Sequence, residues 1–240
     1  NIKSKGEFYI STVIKQYLNS GIDFKNIHID SKNYFCLGTP EEVEKFKISL
    51  LLDLDGTLVN TDFIYFKVLI KILSKYNLKI DNNFFKNFIK GNSDYNFLKY
   101  LIPKITDSEI KNISIEKDQL FIKLLSEIDD INEIIFENVL DFLEKNKNRF
   151  IAIVTSSNKK SAEFLINKLK INNYINLLIS SEDTKKHKPS SEPYLKAINL
   201  LNLQKENCII FEDSISGYIS AKNLNCFDIF LKINEDSKNE

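Results

Sequence analysis

The sequence predicts an α/β protein, with a parallel β-sheet core and an inserted α-helical cap domain. From residue 48 onward, short apolar runs alternate with amphipathic stretches, which is typical of strands and helices that follow one another. Between the first two apolar runs, residues 61–136 are rich in Phe, Ile, Leu and Lys at helical spacing and lack strand-like alternation. We therefore expect the core to consist of residues 48–60 and 137–233, and the cap to consist of residues 61–136.

Five strands are expected in the core, with helical segments between them, one of which covers residues 192–201. The predicted strands are residues 48–55, 150–156, 177–181, 208–213 and 227–233. A cap inserted after the first strand has to open for substrate and close against water, so hinges are expected near residues 60–62 and 136–139. Residues 234–240 are all polar or charged, which predicts a disordered tail.

Residues 1–47 have a different pattern. A helix is expected over residues 7–19, ending at Gly21, followed by extended pieces at residues 27–30 and 34–36. Thr39 suits the N-cap of a further helix, because proline follows at the first helical position and a capping-box glutamate lies three residues on. The chain begins at Asn1 and contains no methionine, so we expect it to be a piece of a longer polypeptide.

Composition excludes several classes of protein. The 240 residues carry 33 basic and 33 acidic side chains, interspersed, which argues against a nucleic-acid partner. The apolar stretch at residues 63–73 contains lysine and is too short to cross a bilayer, and no signal peptide is evident, so we expect no membrane partner and a cytoplasmic location. Cys36, Cys208 and Cys226 form no Cys-x-x-Cys pair and are interpreted as reduced, buried side chains, which makes a metal–thiolate site improbable.

The end of the first predicted strand is the most informative feature for function. An apolar run leads to Asp53 and Asp55 and then breaks at Gly56. A bend at this glycine can turn Asp55 aside, leaving one acid to attack and the other to move a proton. The alternative is a helix-capping aspartate next to a turn aspartate, which accounts for one acid more easily than for two.

Later strands end in residues that would complete such a site. Thr155 lies at the carboxyl end of the second predicted strand, the pair Glu212 and Asp213 lies at that of the fourth, and Lys188 precedes a helix. The carboxyl ends of parallel strands share one crevice, where carboxylates about 4 Å apart repel by roughly 4 kcal/mol per pair at an effective dielectric of about 20. The cluster therefore predicts a divalent cation, with Mg²⁺ as the natural choice. Lys188 and the hydroxyl of Thr155 suit a phosphate group, which predicts phosphoryl transfer.

This set of residues resembles the haloacid dehalogenase superfamily, in its β-phosphoglucomutase and phosphoglycolate phosphatase-like branch with a helical cap. Residues 53–58 match the first motif, Thr155 the second, Lys188 the third, and residues 212–214 with Gly217 the fourth. The resemblance implies a Rossmann-like core, with Asp53 as nucleophile and Asp55 as acid/base. It also implies that Asp213, the Asp53 side chain and the Asp55 carbonyl bind Mg²⁺, and that Glu212 binds it directly or through water.

Four further residues are candidates for substrate contact, each with a structural alternative. Ser156 and Asn158 could line the phosphate site, or they could cap the next helix. Gly91 and Ser93 occupy the place of a Lys-Gly-x-Ser-Arg specificity loop in the related phosphomutases, although a simple turn is the alternative.

The expected activity is hydrolysis of a small phosphorylated metabolite, and a sugar phosphate is the favoured substrate. Asp94 stands where the mutases have the arginine that grips a second phosphate, so that phosphate would be repelled unless a nearby lysine compensates. A mutase remains the alternative enzyme. Residues 1–47 resemble the end of a sugar-phosphate nucleotidyltransferase domain, so a fused or adjacent nucleotidyltransferase is an expected partner, and a non-catalytic half of a truncated bifunctional protein is the third possibility.

Overall fold

The computed structural model describes residues 10–22, 38–39 and 48–231. Predictions for residues 7–9, the extended pieces, Cys36, the helix after Thr39, residues 232–233 and the tail lie outside this range. The chain divides into two compact units, Asn1–Val43 and Glu44–Glu240. In the first unit, helix α1 (Ile10–Asn19) ends at a turn in which Gly21 has a φ of 77°, a left-handed conformation that favours glycine.

A five-stranded parallel sheet forms the centre of the second unit. The strands lie in the order β3-β2-β1-β4-β5 and pair in parallel throughout, which confirms the predicted fold class. They are β1 (Ser49–Leu52), β2 (Ile151–Val154), β3 (Leu177–Ile179), β4 (Cys208–Glu212) and β5 (Asp228–Leu231). Every residue of β1 and β2 is buried, as expected for strands covered on both faces.

Four helices accompany the strands of the core. They are α5 (Val139–Lys145), α6 (Lys159–Lys168), α7 (Glu192–Leu200) and α8 (Ile215–Lys222). Short 3₁₀ turns lie at Asn172–Tyr174, Ser181–Asp183 and Lys205–Asn207. The alternation of strand and helix is the pattern that the apolar runs predict.

Between β1 and β2, residues 61–136 form what we call the helical insertion. Its main helices are α2 (Asp62–Leu73), α3 (Asp94–Leu101) and α4 (Asp107–Ser126). A turn of helix at Asn82–Phe84 continues as a π-helix over Phe85–Ile89, and 3₁₀ turns occupy Ser74–Tyr76 and Ile131–Glu133. Thr106 and Glu109 form a capping box that fixes the start of α4.

Two stretches of chain connect the helical insertion to the core, and they lie side by side. The amide of Asn60 donates to the carbonyl of Ile134 at 2.7 Å, and the amide of Phe136 donates to the carbonyl of Leu58 at 3.1 Å. Val59 and Ile135 form an antiparallel bridge between them. Both predicted hinges lie at this paired connection, and hinge motion there stays a prediction.

Apolar side chains fill both faces of the sheet. Because successive residues of a strand point to opposite faces, Leu50 and Leu52 join a cluster that continues into the helical insertion, whereas Leu51 joins a second cluster against α7. Cys208 and Cys226 are free thiols; Cys208 is buried, as predicted, whereas Cys226 is only partly buried. Among the described residues, no helix is long and apolar enough to cross a membrane.

Phe121 tests the packing of the helical insertion. Its ring is 1% exposed and stacks on Tyr65 with centroids 4.2 Å apart, so Phe121→Ala leaves a cavity and should lower the free energy of unfolding by about 3–5 kcal/mol. Ile115→Ala is the matched control, because Ile115 lies on the same helix and is 48% exposed. Urea denaturation should place the control within about 0.5 kcal/mol of the wild type, and an equally stable Phe121→Ala variant would contradict this packing.

Candidate active site

The predicted acids meet at the carboxyl edge of the sheet. Asp53 follows β1, Glu212 ends β4 and Asp213 follows it, and β1 pairs with β4 in register. The ligand oxygens of these three side chains all lie within 4.8 Å of one another. Asp53 is 6% exposed and Glu212 is fully buried, so their charges have little access to water.

Lys188 supplies the positive charge within this cluster. Its ammonium lies 2.7 Å from Asp53 Oδ1 and 2.6 Å from Glu212 Oε1, and it donates to the carbonyl of Val154 at 2.8 Å. An ammonium has three donors, and here all three have a partner. The side chain is only 4% exposed, so it is a buried ion-pair centre and not a solvated loop lysine.

Two glycines make room for the acids. A Cβ on Gly56 would lie 2.0 Å from an Asp213 oxygen, and the φ of Gly56 is 93°. A Cβ on Gly217 would lie 1.9 Å from the carboxyl carbon of Glu212. Both positions therefore require glycine for close approach, and Gly56 requires it for its backbone conformation as well.

The acidic cluster fits a divalent cation. Asp53 Oδ2 is buried and has no hydrogen-bond partner within the part of the chain that the structure describes, which is costly unless a ligand satisfies it. The donors are all carboxylate oxygens, the ligands that hard divalent cations prefer. Asp53 and Asp213 are the available ligands, because Glu212 is already paired with Lys188.

Burial changes the protonation of these acids. Burial raises the pKa of Asp53 to about 8 against the opposing effect of Lys188, and the charges of Glu212 and Asp213 add to the rise. Burial also raises the pKa of Asp213 to about 6, although Lys90 opposes it. A cation at this site would replace the protons that the cluster otherwise holds.

Asp55 points to a different set of partners. Its Oδ1 accepts a hydrogen bond from Thr61 at 2.6 Å, and its Oδ2 accepts one from Ser157 at 2.7 Å. The Ser157 hydroxyl also lies 3.2 Å from the Tyr65 hydroxyl. Burial raises the pKa of Asp55, while these two hydroxyl donors lower it. The Asp55 carboxylate is outside the acidic cluster, and metal binding by its backbone carbonyl stays a prediction.

The loop after β2 contains the other predicted phosphate ligands. Thr155 is 4% exposed, and its hydroxyl oxygen accepts a hydrogen bond from the amide of Ser157 at 3.0 Å. Ser156 is exposed at the start of this loop. Asn158 caps α6 by accepting from the amide of Ser161, so capping is its observed role.

The loop at residues 90–94 extends from the helical insertion towards the acids. Lys90 lies 2.7 Å from Asp62 Oδ2 and 3.5 Å from Asp213 Oδ2. Gly91 is exposed with a φ of 79°, and Ser93 caps α3 by accepting from the amide of Asn96, which matches the turn alternative for both. Lys117 donates to both oxygens of Asp94, at 2.7 and 2.8 Å, so the lysine that would compensate Asp94 is present.

Several residues at the site were not singled out from the sequence. Ser157, Thr61 and Tyr65 surround Asp55, Lys90 approaches Asp213, and Tyr194 donates to Glu212. Ser157 lies in a run of hydroxyl residues directly after a strand, which was a usable signal. The others lie on helices or loops whose placement depends on tertiary packing.

A parallel α/β sheet with a lysine-paired acidic cluster at its carboxyl edge is the arrangement that the sequence motifs predict for a hydrolase of the phosphatase type. Residues 50–230 match the family model described as haloacid dehalogenase-like hydrolase. This match covers most of the chain, which therefore belongs to the haloacid dehalogenase-like hydrolase family, as its motifs predict.

Individual relatives give a consistent result. The chain is 28% identical over 179 residues to a phosphorylated carbohydrates phosphatase of Thermotoga maritima, covering 72% of this chain and 80% of the relative. It is 23% identical to the fructose-1-phosphate phosphatase YqaB of Escherichia coli, covering 72% of this chain and 90% of the relative. The crystal structure of β-phosphoglucomutase from Clostridium difficile has the same fold, with a TM-score of 0.69 and 24% identity. The match covers 78% of this chain and 85% of that chain.

The family match begins at residue 50, so it lends no support to the nucleotidyltransferase resemblance of residues 1–47. Most of those residues lie outside the described range.

The raised pKa of Asp53 predicts a pH-dependent stability in the absence of divalent cations. A carboxyl group with a pKa of about 8 when folded and 3.8 when unfolded stabilises the fold at low pH, and that stabilisation is lost as the pH rises towards 8. Asp53→Asn removes this titration. Thermal melting in EDTA should therefore give similar Tm values for wild type and variant at pH 5, and a variant that is more stable by at least about 3 °C at pH 8. A variant that is less stable at pH 8 would mean that the ion pair with Lys188 outweighs burial.

Proposed function

We propose that this protein is a Mg²⁺-dependent phosphohydrolase that removes phosphate from a small phosphorylated metabolite, a sugar phosphate, through an aspartyl-phosphate intermediate. The observation that carries this proposal is the arrangement of Asp53: Lys188 holds one carboxylate oxygen, while the other is buried and has no partner among the described residues. A carboxylate fixed in this way presents one oxygen for attack on phosphorus.

Asp53 and Asp213 would hold the metal ion together with the backbone carbonyl of Asp55. Glu212 would contact the metal ion through water, because its carboxylate is already paired with Lys188. When bound, Mg²⁺ supplies positive charge that reduces the repulsion between the Asp53 carboxylate and the phosphate oxygens. Thr155 offers its hydroxyl to a phosphate oxygen, and Ser156 is available beside it. Lys188 orients Asp53 and adds a second positive charge to the phosphate environment.

Asp55 has the properties of a proton carrier. Burial raises its pKa, which makes this carboxyl group easier to protonate than an aspartate in water. In the first step, a carboxylate oxygen of Asp53 bonds to phosphorus, the bond from phosphorus to the leaving oxygen breaks, and Asp55 gives that oxygen its proton. In the second step, Asp55 takes a proton from water, whose oxygen attacks phosphorus and releases Asp53 and inorganic phosphate.

The helical insertion would act as a cap over this chemistry. Thr61, at its start, donates to Asp55, and Tyr65 on α2 contacts Ser157 of the core. Movement at the paired connection would therefore change the donors that hold Asp55. This coupling is the reason to propose that closure and proton transfer occur together.

Lys117 compensates Asp94 itself, but Asp118 leaves this cluster with an excess of acids, which favours hydrolysis over mutase chemistry. The ammonium of Lys117 is paired with both Asp94 oxygens and lies 3.7 Å from Asp118 Oδ1, so two acids outnumber one lysine here. A second phosphate would meet a net negative charge, whereas the hydroxyl groups of a sugar can donate to these carboxylates. The names of the Thermotoga and Escherichia relatives, which refer to a phosphorylated carbohydrate and to fructose 1-phosphate, support a sugar monophosphate.

Phosphate release from a panel of sugar monophosphates, with and without Mg²⁺, tests this proposal. Asp53→Asn should lower kcat at least about 1,000-fold because it removes the nucleophile. Asp107→Asn is the matched control, since Asp107 has a side chain that is 77% exposed at the start of α4, and it should retain wild-type activity.

Two outcomes of this assay would reject the proposal. Equal turnover by wild type and Asp53→Asn would exclude Asp53 as the nucleophile. Conversion of a sugar 1-phosphate to its 6-phosphate, activated by traces of a bisphosphate and without net phosphate release, would identify a mutase instead.

A further inference from the structure

Tyr194 lies directly behind the acidic cluster, in the first turn of α7. Its side chain is fully buried, and its hydroxyl donates to Glu212 Oε1 at 2.5 Å. The Lys188 ammonium lies 5.1 Å from the centre of its ring, within the range of a cation–π contact. Tyr194 therefore contacts both partners of a buried ion pair.

Glu212 is held by three donors in this arrangement. Lys188 and Tyr194 share Oε1, and the Ser214 hydroxyl donates to Oε2 at 3.2 Å. Gly217 closes the space behind the carboxylate, since even a Cβ at that position would collide with it. The Glu212 carboxylate thus has a fixed position, set by the core of the protein.

The position of Glu212 determines the position of Lys188. Lys188 divides its donors among Glu212, Asp53 and the Val154 carbonyl, so a shift of Glu212 changes the geometry of its contact with Asp53 Oδ1. Tyr194 is the donor to Glu212 that comes from a helix packed against the sheet, and its ring is locked by burial. The chain of contacts runs from Tyr194 through Glu212 and Lys188 to Asp53.

We propose that Tyr194 is a positioning residue for the nucleophile: its hydroxyl fixes Glu212, and through Glu212 and Lys188 it fixes the orientation of Asp53. This inference rests on the proposed role of Asp53 in phosphoryl transfer. It assigns Tyr194 an effect on turnover without any contact to substrate or metal.

Tyr194→Phe tests this role because it keeps the buried ring and removes only the hydroxyl. We expect kcat for p-nitrophenyl phosphate and for the best sugar phosphate to fall about tenfold, with KM within about twofold of the wild type. Tyr174→Phe is the matched control, since the Tyr174 hydroxyl donates to Glu144 at 2.9 Å on an exposed surface, and it should leave both constants unchanged. An unchanged kcat in Tyr194→Phe, per mole of folded protein, would overturn the proposal.

A double-mutant cycle separates positioning from a general structural effect. If Tyr194 acts through Glu212, Tyr194→Phe should have less than about a twofold effect on kcat in a Glu212→Gln background. The same tenfold loss in both backgrounds would overturn the proposal, because the effect would then bypass Glu212. Thermal melting of each variant establishes that it is folded at the assay temperature.

A crystal structure of Tyr194→Phe provides a result that does not depend on activity. The proposal predicts that the Glu212 carboxylate rotates and that the Lys188–Asp53 contact of 2.7 Å lengthens beyond hydrogen-bond distance. Unchanged positions of both side chains would overturn it. A wild-type protein that hydrolyses no phosphate ester would reject the proposed function, and the crystal structure would still decide whether Tyr194 positions Asp53.

Discussion

The site depends on one buried ammonium group. Lys188 lies between Asp53, Glu212 and the carbonyl of Val154, which belong to the ends of three adjacent strands. Strand pairing in a parallel sheet brings these strand ends together even when their side chains carry like charges. Buried carboxylates without a counter-charge would destabilise the fold. Lys188 offsets that cost, and because all three of its donors are used, it also fixes the direction of the Asp53 carboxylate. The same contact that stabilises the sheet edge thus leaves the other oxygen of Asp53 without a partner among the described residues, as its proposed role in phosphoryl transfer requires.

The helical insertion reaches the same site through contacts with the core. Thr61 donates to Asp55, Tyr65 contacts Ser157, and Lys90 approaches Asp213. These contacts place hydroxyl groups around the proposed proton carrier and a positive charge beside a proposed metal ligand. Any displacement of the helical insertion therefore changes the electrostatics of the acids as well as access to them, which links the fold of the insertion to the chemistry of the core.

The sequence predicted the sheet and the acidic cluster well because both follow from local patterns. Apolar runs identify buried strands, and the acids sit at their carboxyl ends, so Asp53, Glu212, Asp213 and Lys188 came together as expected. Strands β1 and β2 end at Leu52 and Val154, earlier than predicted, so Asp53 and Thr155 lie just beyond the strands. The sequence did not identify Tyr194 or Lys117, because the contacts of an aromatic or lysine side chain on a helix depend on tertiary packing and not on a local motif. Asp94 shows this limit: its sequence position suggested a repulsive charge, and only the packing of α3 on α4 reveals its pairing with Lys117.

The role of Lys188 is tested most directly by thermal melting of Lys188→Met at pH 5 and pH 8 in EDTA, compared with Lys160→Met, a substitution at an exposed lysine of α6. Loss of a buried counter-charge costs about 3–5 kcal/mol, so the variant should melt roughly 10 °C below the control at pH 8. At pH 5 the difference should shrink, because Asp53 and Asp213 then bind protons. Equal melting temperatures for Lys188→Met and the control at pH 8 would contradict the central place of this lysine.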